Sequence, residues 1–221
     1  MSQQIVAIDG PAGSGKSSVS KQVSRELGFG YLDTGAAYRA LAWAVLQGKF
    51  DVESLAETDL DANFDYDISL DADDFWVRVG ETDVTSAIRD QQVAEFVSQV
   101  ARVQPVRDFM KRLTRRLVAE SERAGVVVEG RDITTVVAPD AKIRLLLTAS
   151  EEVRLKRRSA ELSPQAAAEV HKQVSQRDQS DSKVVDFMTP APGVTLVDST
   201  DLNFVQTVAA VRELIERALG R

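Results

Sequence analysis

Apolar and polar positions change period several times along the chain, and each change marks an element. Ile5-Val6-Ala7-Ile8 is a continuous apolar run of the length of one buried strand. From Lys16 the period becomes helical, with Val19, Val23 and Leu27 on one stripe and Gly28 as the stop. Gly30-Tyr31-Leu32 predicts a short strand, and Ala36 to Gln47 a second apolar helix in which Trp43 reads as core. Between Asp51 and Asp83 acidic residues accumulate. Phe64, Tyr66 and Ile68, then Phe75, Val77 and Val79, alternate with polar neighbours on either side of Asp71–Asp74, the pattern of a small antiparallel hairpin inserted into the chain. A helix over about 90–102 turns Val93, Phe96, Val97 and Val100 inward. Another starts at Pro105, where a missing N–H costs little, and runs to about Arg123. Val126-Val127-Val128 and Ile143 to Leu147 read as buried strands. Helices follow Thr148 and Ser163-Pro164, Val194 to Val197 is a last strand, and Asn203 to Leu219 a closing amphipathic helix.

Strands that alternate with helices imply an α/β chain with a parallel sheet covered on both faces, joined by right-handed crossovers, with its ligand crevice at the carboxyl ends of the strands. The first strand leads directly into Gly10-Pro11-Ala12-Gly13-Ser14-Gly15-Lys16-Ser17-Ser18, which fits Gly-x-x-x-x-Gly-Lys-Ser, a phosphate-binding P-loop. Glycines let the backbone curl with its N–H groups inward around phosphate oxygens, and the helix that follows presents its positive end to the same anion. Lys16 would reach the β- and γ-phosphates of a nucleotide and the Ser17 hydroxyl would help hold Mg²⁺, with Ser18 extending the polar rim. A glycine-rich turn without this role would meet the four required positions by chance less than about 5% of the time.

Composition adds bounds. With 221 residues, 43% hydrophobic and 28% charged, the chain can bury a large core. A net charge of −7 disfavours a nonspecific nucleic-acid binder, and the absence of cysteine fits a reducing compartment. Met1-Ser2-Gln3-Gln4 carries no basic segment, and no apolar run approaches the ~20 residues that cross a bilayer, so a cytoplasmic protein without signal peptide or membrane span is expected. Against the acidic whole, Arg154, Lys156, Arg157 and Arg158 on one helix and Arg177 to Lys183 at the end of the next form a basic pair, readable as a solvated face or as phosphate ligands. His171, the only histidine, reads as solvated.

The P-loop, Leu-Asp-Thr-Gly-Ala-Ala-Tyr-Arg at 32–39, Ser98-Gln-Val, Pro-Val-Arg at 105–107, Gly-Arg-Asp at 130–132, Val-Val-Ala-Pro-Asp-Ala at 136–141, Arg177-Asp178 with Asp181-Ser182, and Val-Asp-Ser-Thr at 197–200 together resemble the bacterial cytidylate kinases, nucleoside monophosphate kinases of the P-loop class. The resemblance implies a three-layer fold with five parallel strands, a monophosphate-binding insert over about 35–105 and a helical lid over about 151–187. It also implies transfer of a phosphoryl group from ATP to CMP or dCMP with Mg²⁺. By the same likeness Thr34, Arg39 and Arg131 would hold the acceptor phosphate or nearby groups, and Ser98, Arg107 and Asp132 would surround cytosine. Asp181 would reach the sugar, and Arg158 and Arg177 the transferring phosphates. The family often has a further arginine soon after the Asp181-Ser182 pair, where this chain reads Lys183-Val184. Partners are then small molecules, with no nucleic acid or membrane, and a monomer is the expectation. A P-loop kinase for another small acceptor, and a nucleotide-dependent switch without acceptor, stay open at this point.

Overall fold

The computed structural model describes residues 4–52, 54–160 and 187–220. Its elements follow in the order β1 (Gln4–Asp9), α1 (Lys16–Leu27), β2 (Gly30–Asp33), α2 (Thr34–Leu46), α3 (Glu57–Asn63), β3 (Tyr66–Ile68), β4 (Val77–Val79), β5 (Thr82–Asp83), α4 (Gln91–Ala101), α5 (Gln104–Glu120), β6 (Gly125–Gly130), β7 (Ile143–Thr148), α6 (Glu151–Ala160), β8 (Thr195–Asp198) and α7 (Phe204–Leu219). A π-helical turn at Ile133–Val137 separates β6 from β7. The helix expected after Ser163-Pro164 lies outside the described residues.

The chain forms two compact units, one made of residues up to Tyr31 and from Arg123 onward, the other of Leu32–Glu122. The first is built on a five-stranded sheet of order β2-β6-β1-β7-β8, parallel as the alternating pattern requires. Its register aligns Asp9 with Gly130 and Leu146, and Thr148 with Asp198, so the carboxyl ends of β1, β6, β7 and β8 share one edge. One face buries Val6, Ile8, Val127, Leu145, Leu147 and Val197 against Val19 and Val23 of α1 and Val208, Val211 and Ile215 of α7. Gly125 is tight for a packing reason: a Cβ there would stand 2.8 Å from the Phe29 ring. α7 starts at a reciprocal cap in which Asn203 Oδ1 accepts from Gln206 N–H and Gln206 Oε1 accepts from Asn203 N–H, each at 2.9 Å. At the outer edge β8 is only four residues long and follows a proline-rich turn.

In the second unit, Tyr66 and Ile68 of β3 and Val77 and Val79 of β4 are buried while Asp67 and Arg78 face outward, as period-two alternation predicts. The expected hairpin gains a third antiparallel strand, because Gly80 at φ +59° lets the chain turn back into β5. β4 begins only at Val77, since Asp71 Oδ1 draws Asp73 N–H into a turn. α3 has no counterpart in the pattern: of its described residues Leu60 alone is fully buried, too little for a visible stripe. α2 starts two residues before the expected Ala36, because the Asp33 carboxylate caps it by accepting from Ala36 N–H at 3.1 Å.

Ile215 is wholly buried on the inner stripe of α7. Ile215→Ala should cost about 2–5 kcal/mol of unfolding free energy in a denaturant titration while leaving kinetic constants at their normal values.

Candidate active site

The P-loop joins β1 to α1, and three of its glycines are there for want of room or for backbone shape. A Cβ on Gly10 would sit 2.1 Å from the Leu147 carbonyl oxygen, and one on Gly13 would sit 2.4 Å from that of Arg154. Gly13 and Gly15 have φ of +75° and +86°, in the left-handed region where side chains are strained. The loop's carbonyl groups are drawn outward in alternation. Arg131 Nη1 donates to Gly10 O, Arg154 Nη1 to Ala12 O at 3.0 Å, and Arg157 Nη1 to Ser14 O at 3.2 Å. Inside, the Ser14 hydroxyl is buried with no protein partner, an unmet polar atom of the kind a phosphate oxygen satisfies.

Lys16 and Ser17 open α1 and converge on Glu129 at the end of β6. Ser17 Oγ donates to Glu129 Oε1 at 2.5 Å, Tyr31 Oη donates to the same oxygen at 3.0 Å, and Lys16 Nζ stands 3.8 Å from Oε2. Glu129 is 2% exposed. The amino-acid pattern places it with Arg131 and Asp132 among the charged groups at the carboxyl end of a buried strand, near the ligand crevice, but gives it no specific role. Asp9, also buried, is structural: it accepts from Ile133 N–H at 2.9 Å, Thr134 N–H at 2.8 Å and Thr134 Oγ1 at 2.6 Å. Burial pushes its carboxyl above the ordinary carboxylate range, and the Thr134 and Ile133 hydrogen bonds oppose that push.

Arg131 and Asp132 follow directly on β6. The Arg131 guanidinium lies over the ring of the buried Phe187, 4.6 Å from its centroid. The Asp132 carbonyl accepts from Val136 N–H at 2.8 Å and Val137 N–H at 3.1 Å, which ties the start of the π-helical turn. On α6, Arg154 and Arg157 brace the loop. Arg157 also reaches Ser199 Oγ at 2.9 Å and, through Nη2, Ser199 O at 2.8 Å and Leu202 O at 3.1 Å. These two arginines are positioning residues that the sequence reading did not separate from the basic face around them. Arg158 is half-buried on the same helix, and Arg177, Asp181 and Lys183 lie outside the described residues.

The second unit carries the remaining candidates on helices that pack together, α2 with α4 and α5. Thr34 is buried at the start of α2, and Arg39, one turn on, pairs with Asp33 at 2.8 Å. Gly35 makes room for that pair, since a Cβ there would meet Arg39 Nη1 at 2.9 Å and Asp33 Oδ1 at 3.1 Å. Ser98 on α4 and Arg107 in the first turn of α5 are half-buried.

A parallel α/β sheet whose first strand feeds a P-loop, with a buried carboxylate on the loop's lysine and serine, defines a P-loop nucleotide-binding fold. The cytidylate kinase family model matches residues 6–217. A cytidylate kinase of Cutibacterium acnes is 45% identical, with 96% of this chain and 95% of that one covered, and a cytidylate kinase of Streptomyces avermitilis is 41% identical over 96% and 92%. The chain belongs to the cytidylate kinase family. Among solved structures, a Thermus thermophilus protein designated TT1252 superposes with a TM-score of 0.51 at 18% identity, covering 98% of each chain, a likeness of fold alone.

Gly13→Ala should weaken ATP binding at least tenfold, because the loop must yield a strained backbone and a contact with the Arg154 carbonyl at once. Equilibrium titration of ATP, with circular dichroism to verify the fold, measures it.

Proposed function

We propose that this protein is an ATP-dependent cytidylate kinase, which transfers the γ-phosphate of ATP to CMP or dCMP and releases ADP and CDP or dCDP. The observation that carries the reading is the buried Glu129 carboxylate, engaged by both Ser17 and Lys16 beside a loop with no room for a side chain at Gly10 or Gly13. In the reaction an oxygen of the acceptor phosphate forms a bond to the γ-phosphorus while the bond to the β–γ bridging oxygen breaks, and the electron pair leaves with ADP. Little covalent help is required, because transfer depends on in-line positioning and on positive charge around the equatorial oxygens. Gly10 to Ser18 would bind the donor phosphates, and Lys16 would supply charge to the transferring group. Arg131, Arg158 and Arg177 would add to it with the planar fork that suits phosphate.

The Ser17 hydroxyl and the Glu129 carboxylate are hard oxygen donors of the kind Mg²⁺ takes, and they would hold the ion. Bound with ATP, it supplies neutralising charge to the phosphates. On the acceptor side Thr34 and Arg39 would take the phosphate with Arg131, while Ser98, Arg107 and Asp132 read the base and Asp181 the sugar. No general base is assigned, since a phosphate monoester is already largely dianionic at neutral pH. Both units then serve one kinase domain, working as a cytoplasmic monomer; among the described residues no helix is long and apolar enough to cross a membrane.

With ATP, Mg²⁺ and a panel of monophosphates, ADP should form only when CMP or dCMP is present. ADP formation that depends equally on another acceptor, or on none, would overturn the reading. Lys16→Ala should stay folded and lose transfer by about 10²–10³-fold in kcat.

Selectivity for cytosine over uracil follows from hydrogen-bond matching. Cytosine offers an N4 amino donor beside the N3 and O2 acceptors, and uracil reverses positions 4 and 3. Asp132 and Ser98 can accept from N4, and Arg107 can only donate, so uracil would leave like groups facing each other. A preference of roughly 10²-fold or more in kcat/KM is expected, falling in Asp132→Ala and in Arg107→Met. Comparing CMP with UMP kinetics in each variant checks it.

A further inference from the structure

Arg131 and Asp132 stand just beyond β6, yet the groups that fix them belong to the end of β1. Asp9, the last residue of β1, is 2% exposed and lies in register with Gly130. Its carboxylate reaches past Asp132 to the two residues that follow: Oδ1 accepts from Ile133 N–H at 2.9 Å, and Oδ2 accepts from Thr134 N–H at 2.8 Å and Thr134 Oγ1 at 2.6 Å. On the other flank, the carbonyl of the next residue, Gly10, accepts from Arg131 Nη1. Asp132 lies between these two anchors, and its own carbonyl is taken by Val136 N–H and Val137 N–H.

The segment would not keep this shape by its own preference. Ile133-Thr134-Thr135-Val136-Val137 is a run of five β-branched residues, stiff at χ1 and weak in helices, and it forms a π-helical turn, a rare geometry that recurs at functional sites. Asp132 precedes the turn at φ −138° and ψ 21°, away from the main helix and strand regions. The first amides of such a turn have no acceptor within it, and a buried carboxylate that accepts two of them and a hydroxyl is a strong, charge-assisted clamp. Arg144 Nη1 adds one bond to the Thr134 carbonyl at 3.2 Å. The direction of the Asp132 side chain is therefore set largely by Asp9.

We propose that Asp9 is a positioning residue for recognition of the acceptor base: by clamping Ile133 and Thr134 it fixes the backbone from which the Asp132 carboxylate meets the N4 amino group of cytosine. The inference rests on the reading of Asp132 as a base ligand of a cytidylate kinase. Telling an amino group from a carbonyl at position 4 requires an acceptor that cannot retreat. A slack Asp132 would still accept from cytosine part of the time, but it could also swing away from the uracil oxygen, so selectivity is lost more than turnover.

Asp9→Asn keeps the size of the side chain, but an amide accepts through one oxygen only, so whichever way it is turned a backbone N–H loses its acceptor. In this variant the ratio of kcat/KM for CMP to that for UMP should fall about tenfold, chiefly through a higher KM for CMP, while the dissociation constant of ATP should stay within about twofold. Thr134→Val, which removes only the hydroxyl bond, should lower the ratio about two- to threefold. In an Asp132→Ala background, adding Asp9→Asn should change the ratio by less than about twofold. The proposal is overturned if folded Asp9→Asn keeps the unmodified ratio, if ATP and CMP affinities fall together, or if the full loss persists in the Asp132→Ala background. Should Asp9→Asn fail to fold, Thr134→Val decides, and an unchanged ratio there overturns the proposal. Failure here leaves CMP-dependent ADP formation by the unmodified protein intact, whereas loss of that activity would remove the kinase reading itself.

Discussion

A carboxylate removed from water must be matched by donors or its burial costs several kcal/mol, and Glu129 is the place where this chain meets that demand. Its three matched groups come from two elements distant in sequence, Lys16 and Ser17 from the first turn of α1 and Tyr31 from β2. One buried charge therefore ties the end of β6 to the start of the P-loop helix and to the sheet's outer strand. It also holds the lysine and the serine in place ahead of any nucleotide, so that little reorganisation is needed when phosphate charge arrives.

The loop itself is shaped from outside as much as from within. Gly10, Ala12 and Ser14 each turn a carbonyl to an arginine, and the arginines come from the end of β6 and from α6. Holding alternate carbonyls outward keeps their oxygens from facing an anion, which is the polarity a phosphate cradle requires. The same guanidinium groups bind elsewhere too: Arg157 gathers the turn after β8, and Arg131 rests on Phe187. Arg154 and Arg157, which look like surface decoration in the sequence, thus serve as internal scaffolding.

The contrast explains what was legible in the amino-acid pattern. Strands such as Val126–Val128 and helices such as Asn203–Leu219 show because many residues repeat one period, and the P-loop shows because its spacing is fixed by phosphate geometry. Glu129 showed only as a charge at the end of a buried strand; its partners Lys16, Ser17 and Tyr31 did not, because they depend on which elements are its neighbours, and strand order has no local signature. Arg154 and Arg157 fall one turn apart on α6 beside the exposed Lys156, a spacing shared by any solvated basic helix, so only the loop's approach distinguishes them. α3 stayed hidden because Leu60 alone, of its described residues, anchors it. Tyr66 was legible as an inward strand residue, but the burial of its hydroxyl without a hydrogen-bond partner is a property of three-dimensional surroundings.

Among the described residues β8 is the last strand of the sheet, and a last strand has one row of backbone groups without a partner strand, the exposure through which sheet proteins aggregate. Here that row cannot be lengthened toward its amino end. Pro190 and Pro192 lack N–H groups, Val194 N–H is spent on the Ala191 carbonyl at 2.9 Å, and Arg144 Nη2 holds the Pro192 carbonyl at 3.2 Å. An intruding strand would find four residues to pair with, one of them the charged Asp198. The turn that brings the chain into its last strand thus also sets how little of that strand another chain could pair with.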